Sequence, residues 1–276
     1  MLAPSSQTLN IQDPRVTSVV PTTLEVIAML NNETVAKLRQ LKLAGMVEAY
    51  EQQHSALSIQ TLSFDERLGL MVDQEWIRRQ NNKMGMLMRK AGFIDSRACI
   101  EDIDYAPDRK INRQQILELA SGNYIRHARN IIITGATGAG KSFLAQAFGT
   151  MACRQKFSTR YVRLNDLVEI LLIEKEKGLE AFQKARKAFE KLSLLIIDEW
   201  LLFPITVEES KVLADLIDRR NRRASTIIVS QYEPNEWIDQ IPNPVAAEAM
   251  TDRLKSNAYN IFIDGDTSMR ERYGFS

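Results

Sequence analysis

The clearest chemistry in this 276-residue chain lies in eight consecutive residues, Gly135-Ala136-Thr137-Gly138-Ala139-Gly140-Lys141-Ser142. They have the form G-x-x-x-x-G-K-[ST], preceded by the apolar run Ile131-Ile132-Ile133 and followed by the helix-forming Phe143-Leu144-Ala145. Glycines at this spacing let backbone amides turn inward as an anion cradle at a helix N-terminus, where the helix dipole also favours phosphate. Lys141 would meet the β- and γ-phosphate oxygens of a nucleoside triphosphate, and the Ser142 hydroxyl would join a magnesium shell. A glycine-rich turn with an incidental lysine is the bland alternative, and the strand before and helix after argue against it.

A phosphate cradle needs a carboxylate beside its metal, on a neighbouring apolar strand. Leu194-Leu195-Ile196-Ile197 ends in Asp198-Glu199 and supplies one. Asp198 would hold magnesium and Glu199 would polarise the attacking water as general base. Acidic residues after strands also cap helices, but here the two motifs predict each other. Further on, Ser230-Gln231 ends another apolar run. The Gln231 side chain would reach the γ-phosphate or its attacking water, or is an ordinary loop residue. With Mg2+ and ATP as cofactors, such a set points to hydrolysis; a small-molecule kinase would need an acceptor pocket instead.

These groups need a scaffold that brings strand ends together. Arg129–Thr134, Thr159–Arg163, Leu192–Ile197, Thr226–Ser230 and Tyr259–Ile263 are short β-rich runs, and the first four are each followed by a turn and a helical pattern. That alternation predicts an α/β fold with a parallel sheet covered by helices. Upstream, Val35, Leu38 and Leu41, then Phe64, Leu68, Met71, Val72 and Trp76, recur at helical spacing, and Ser63 with Glu66 has the form of a capping box. The chain thus divides into a leader at 1–33, with Pro4, Pro14 and Pro21 among polar residues, a small all-helical domain at 34–102, and the nucleotide domain at 103–276. Ile103–Arg109, with Asp104, Pro107 and Asp108, reads as a linker.

At 45% hydrophobic and 26% charged the chain has the composition of a soluble globular protein, and its net charge of +1 leaves any nucleic-acid binding to local basic surface. Cys99 and Cys153 lie far apart without metal-ligand spacing, which suits a reduced, cytoplasmic protein. No apolar run reaches membrane-spanning length, so no membrane partner is expected.

With these residues in hand, the chain resembles the IstB family of insertion-sequence transposition helper ATPases and, more distantly, the DnaC and DnaA replication factors. The likeness rests on Leu41-Lys42-Leu43-Ala44-Gly45-Met46, Leu62-Ser63-Phe64, Ala120-Ser121-Gly122, the phosphate loop, Ile197-Asp198-Glu199, Ser230-Gln231, Asp252-Arg253-Leu254 and Ser268-Met269-Arg270. The resemblance implies a P-loop NTPase of the AAA+ type that forms an ATP-dependent homo-oligomer, binds and deforms duplex DNA, and recruits or stimulates a transposase. It implies an arginine-finger role for Arg253 and a nucleotide-sensing role for Arg270, although an arginine near Asp252 also has the look of a surface ion pair. Trp200, directly after the acidic pair, has no mechanistic reading. A DnaC-like helicase loader is the alternative within the same class.

Three basic stretches are candidates for DNA. Trp76–Ile94 has no acidic residue and carries Arg78, Arg79, Lys83, Arg89 and Lys90, a phosphate-tracking face or a solvated one. Asp166–Lys191 carries Lys175, Lys177, Lys184, Arg186 and Lys187 among glutamates that partly cancel them. By the resemblance, a helical insertion at this position lines the DNA channel. Arg219–Arg223 ends a helix, where it complements the dipole or serves a subunit interface.

Overall fold

The computed structural model describes residues 23–55, 59, 61–264, 268–272 and 274, and these divide between Arg79 and Gln80 into two compact units. The first unit holds α1 (Thr23–Gln40), α2 (Ala44–Ser55) and most of α3 (Phe64–Ala91), within which the boundary falls. Residues 23–33, expected in the leader, are helical: past Pro21, Leu24, Ile27 and Ala28 already recur at helical spacing. The rest of the leader, 1–22, lies outside the described residues.

The capping box at α3 is formed. Ser63 N donates to Glu66 Oε2 at 2.8 Å while Glu66 N donates to Ser63 Oγ at 3.3 Å. Gly45 lets the start of α2 approach α3 closely, since a Cβ there would sit 2.8 Å from Glu75 Cα. Its amide donates to the buried Glu75 Oε2 at 2.7 Å.

In the second unit α4 (Arg113–Ala120) and α5 (Asn123–Arg126) precede β1 (Asn130–Gly135), α6 (Lys141–Arg154) and β2 (Thr159–Arg163). Then come the hairpin of α7 (Leu164–Glu176) and α8 (Leu179–Glu190), β3 (Leu194–Asp198), α9 (Val207–Arg220), β4 (Ser225–Val229), α10 (Pro244–Lys255), β5 (Ala258–Ile263) and the short α11 (Met269–Arg272). The five strands are all parallel, in the order β2-β3-β4-β1-β5. Side-chain alternation divides each central strand between two cores. Ile131, Ile133, Leu194 and Ile196 pack with Ile116, Leu144 and Phe148 on one face. Ile132, Leu195, Ile197 and Ile228 pack with Leu167, Leu213 and Met250 on the other. Burial on both faces explains why these strands read as unbroken apolar runs.

Two stretches depart from the sequence expectation. Ala98 and Ile100, at the end of the expected helical domain, are buried in the core of the sheet unit. Within the basic cluster at the end of α9, Arg220 is 1% exposed and turned inward. It donates to Phe189 O (2.7 Å), Leu192 O (2.9 Å), Ser225 O (2.5 Å) and Thr226 Oγ1 (3.2 Å), tying the end of α8 to the starts of β3 and β4. Burial lowers its pKa to about 10, still far above neutrality. Arg220→Ala strands these acceptors without a donor and is expected to cost about 3 kcal/mol, read as a lower urea midpoint. No described helix is long and apolar enough to cross a membrane.

Candidate nucleotide site

The phosphate loop runs from the end of β1 into α6, and its conformation is set by glycine. Gly138 and Gly140 adopt φ of 80° and 89°, values a side chain would strain, in the loop that leads into the N-terminus of α6. Lys141, the first residue of α6, is 8% exposed. Its Nζ donates to Gly135 O at 2.8 Å and Ala136 O at 2.7 Å, so the ammonium is held under the loop. Desolvation lowers the Lys141 pKa, and the negative charge of Asp198 opposes that shift. Ser142 and Phe143 are half-buried on the same turn, while Ala136 and Thr137 are exposed at the rim.

Asp198 ends β3 and is 3% exposed. Its Oδ2 accepts from Tyr161 Oη at 2.5 Å and its Oδ1 from Glu199 N at 2.8 Å, which fixes the carboxylate plane. Burial, followed by the charge of Asp198, pushes the Tyr161 hydroxyl pKa well up, so it stays a donor. Glu199 takes φ of 55°, an uncommon left-handed conformation for a side chain of its size. The backbone that follows is pinned: Trp200 N donates to Val229 O at 2.8 Å and Ser230 Oγ donates to Trp200 O at 2.9 Å. The Trp200 ring is buried edge-on to Trp237 at 5.7 Å, so its role is to anchor this turn. The Glu199 carboxylate lies 3.4 Å from Arg163 Nε at the end of β2, both half-exposed, a pair weak enough to part readily.

Gln231 and the phosphate loop meet, with Thr137 Oγ1 donating to Gln231 Oε1 at 2.9 Å. Ser230 instead is buried and engaged with Trp200, Tyr232 and Trp237. Lys141, Ser142, Asp198, Glu199 and Gln231 thus converge at the C-terminal ends of β1, β3 and β4, the usual ligand edge of an open parallel sheet.

Beside Gly140 opens a cavity of about 590 Å³, bounded by Ile103, Ile111, Phe143, Leu144 and Met269 with Asp104 and Arg109 at its edge. Apart from Phe143, sequence reasoning missed this wall. Most of it comes from a connector rich in Asp and Pro, and only the apolar pair Ile103 and Ile111 signalled that anything there is buried.

Residues 36–274 match the family of IstB-like ATP binding proteins. The chain belongs to this family. An insertion sequence IS1162 putative ATP-binding protein of Pseudomonas fluorescens is 37% identical over 74% of this chain and 87% of its own length. A putative insertion sequence ATP-binding protein of Sinorhizobium fredii is 34% identical over 88% of this chain and 98% of its own. The replication initiator DnaA, solved with AMPPCP and single-stranded DNA, is similar in fold, with a TM-score of 0.53 at 18% identity over 64% of this chain and 53% of that one. This IstB-like chain therefore shares the fold of that initiator, a parallel sheet covered by helices with the phosphate loop after its first strand.

Arg253 is not near its own phosphate loop. α10 returns from the C-terminal end of β4 to the N-terminal end of β5, and Arg253 sits in its last turn. It donates to Asp218 Oδ1 at 2.8 Å and to Ala249 O at 2.9 Å. Arg270 lies in α11, but its side chain is outside the described residues.

The DNA candidates differ in availability. Arg78, Arg79 and Lys83 are exposed on α3, with Arg79 paired to Glu75 at 2.6 Å. On the α7–α8 hairpin Lys175 pairs with Glu208 (2.8 Å) and Lys177 with Glu174 (2.6 Å). Arg186 is 12% exposed and paired with Asp215 at 2.8 Å, turned inward where the sequence had suggested outward. Lys184 and Lys187 are exposed on one face of α8 and border a shallow groove with Lys191.

Proposed function

We propose that this IstB-like protein is a DNA-linked ATPase that assembles with copies of itself on duplex DNA and recruits or stimulates a transposase. The observation that carries the ATPase reading is the convergence of a buried Lys141 and a fixed Asp198 carboxylate at one sheet edge, with Glu199 next in the chain. The loop fits a triphosphate: two glycines at positive φ give it the backbone of an anion cradle, and Lys141 donates to backbone carbonyls that a phosphate oxygen would outcompete. ATP would seat its base and ribose in the cavity beside Gly140, against Ile103, Ile111, Phe143 and Met269.

Ser142 and Asp198 would hold a magnesium ion, whose chemistry is to neutralise charge on the β- and γ-phosphates. Glu199, released from Arg163, would take the proton of the attacking water, and Gln231 would orient that water from the edge of the loop. Arg253, about a strand's length from its own site, would serve the site of a neighbouring copy. Association with an insertion sequence is supported by the Pseudomonas and Sinorhizobium relatives, both insertion sequence putative ATP-binding proteins.

Within the core, Lys184 and Lys187 are the best DNA contacts, because among the described residues neither is held in an ion pair, whereas Lys175, Lys177 and Arg186 are. The test is ATP hydrolysis and particle size measured with and without duplex DNA and a slowly hydrolysed ATP analogue. DNA is expected to raise turnover several-fold and to yield a multimer with the analogue. Joint Lys184→Glu and Lys187→Glu substitution should weaken DNA binding about tenfold and flatten its salt dependence by about two phosphate contacts, at unchanged ATP affinity. Turnover and size indifferent to DNA would refute the reading.

A further inference from the structure

α11 is four residues long, too short to hold a helical shape unaided, so its position depends on what it touches. Met269 N donates to Gly138 O of the phosphate loop at 2.9 Å. Ser268 lies so close to Gly138 that a Cβ there would overlap its hydroxyl, and a Cβ on Gly140 would sit 3.4 Å from Met269 Cγ. At the other end of the turn Arg272 bridges two carboxylates, with Nη1 donating to Asp104 Oδ2 at 3.0 Å and Nη2 to Asp108 Oδ2 at 2.5 Å.

Both acceptors belong to the connector that forms the wall of the cavity. From that connector Arg109, 5% exposed, donates to Ala139 O at 2.7 Å and to Asp104 O at 2.5 Å. The backbone between Gly138 and Gly140 is thus gripped from two sides, by α11 through Gly138 O and by Arg109 through Ala139 O. Asp104 joins the two grips, taking Arg109 on its carbonyl and Arg272 on its carboxylate. Burial alone would raise the Asp104 pKa, but the hydrogen bonds from Arg272 and Ala106 and the charge of Arg109 outweigh it and hold the carboxyl below its ordinary value. The side chains of Arg272 and Asp104 are 27% and 20% exposed, so the pair is partly shielded from solvent and salt.

We infer that Arg272 is a positioning residue of the nucleotide site, clamping the C-terminal turn to Asp104 and Asp108 so that it backs the phosphate loop and walls the cavity. The inference rests on the ATP-binding reading of that site. Arg272 touches no position where phosphate would react, so its loss acts on binding and leaves chemistry alone.

The test is to titrate a fluorescent ATP analogue and measure KM and kcat for Arg272→Ala, Arg272→Lys, the charge swap Arg272→Asp with Asp108→Arg, and Lys141→Ala. Arg272→Ala is expected to raise Kd and KM about tenfold, the scale of two partly exposed charge-assisted hydrogen bonds, with kcat within about twofold. Arg272→Lys, with one ammonium for two carboxylates, should fall between, and the swap should recover part of the affinity. The thermal midpoint of the nucleotide-free protein should stay put while its rise on adding ATP shrinks. Wild-type affinity in Arg272→Ala, with Lys141→Ala unable to bind, overturns the clamp and leaves the ATP reading standing. Unchanged affinity in Lys141→Ala overturns the ATP reading itself. If Arg272→Ala fails to fold, Asp108→Asn removes one arm of the clamp, and normal nucleotide affinity in that variant overturns the inference equally.

Discussion

Lys141→Ala is expected to abolish nucleotide binding, with ATP affinity falling at least about 100-fold, or roughly 3 kcal/mol. The ammonium is buried, its charge is disfavoured by desolvation, and it donates to two loop carbonyls, Gly135 O and Ala136 O. Asp198 supplies a nearby negative charge, while its own oxygens accept from Tyr161 Oη and Glu199 N. A buried cation in that state costs stability until an anion arrives, so the alanine variant should unfold no more easily than wild type when nucleotide is absent. The opposite pattern, lost stability with retained affinity, is what a purely structural lysine would give. A titration of affinity against pH adds a signed check. In the free protein the Lys141 pKa lies below its ordinary value, whereas bound phosphate would raise it. Binding should therefore take up a proton at alkaline pH, and affinity should decline as pH rises through the free-state pKa, before an ordinary lysine would titrate. Flat affinity across that range would remove the lysine from the phosphate site.

The parts of this molecule that could be read from its sequence are those where one physical rule acts alone. β1, β3 and β4 are buried on both faces and so are apolar without interruption, and the expected strands fall within two residues of the observed ones. The Ser63–Glu66 box closes locally, over three residues, and needs nothing from the rest of the chain. The phosphate loop and Asp198 are recognisable because each has a fixed place at a strand end.

What escaped were features made by long-range pairing. Arg220 looks like one of several surface arginines until the carbonyls of Phe189, Leu192 and Ser225 are found around it. Arg186 sits in a run of lysines and glutamates, and its pairing with Asp215, on another helix, turns it inward. The cavity wall pairs residues from opposite ends of the nucleotide domain, Asp104 with Arg272 and Gly138 with Met269. No periodicity encodes such contacts. The helical start of residues 23–33 was hidden for a different reason, since three prolines upstream dominated the composition of the whole segment.

Arg253 offers the second large effect, and one that a residue of the local site cannot imitate. β1 and β5 run in register from Asn130 opposite Ala258 to Gly135 opposite Ile263, five steps of about 3.3 Å, or roughly 16 Å. Arg253 precedes the start of β5 whereas the phosphate loop follows the end of β1, so the side chain is separated from its own Lys141 by nearly the height of the sheet. Its bond to Asp218 is half-exposed and therefore worth little, so exchange for a phosphate of a neighbouring copy has a low barrier. If Arg253 acts across a subunit boundary, Arg253→Ala should bind ATP as wild type does yet lose about 10³-fold in DNA-stimulated hydrolysis, the scale of a missing cation on the γ-phosphate. Mixing it with Lys141→Ala supplies the decisive measurement. Each variant alone is inactive, but at a mixed interface the Arg253→Ala subunit contributes a competent pocket and the Lys141→Ala subunit contributes the arginine. Hydrolysis should therefore reappear, with a maximum at intermediate mixing ratios. Mixed particles that form and stay inactive at every ratio would mean that Arg253 does no more than tie α10 to α9.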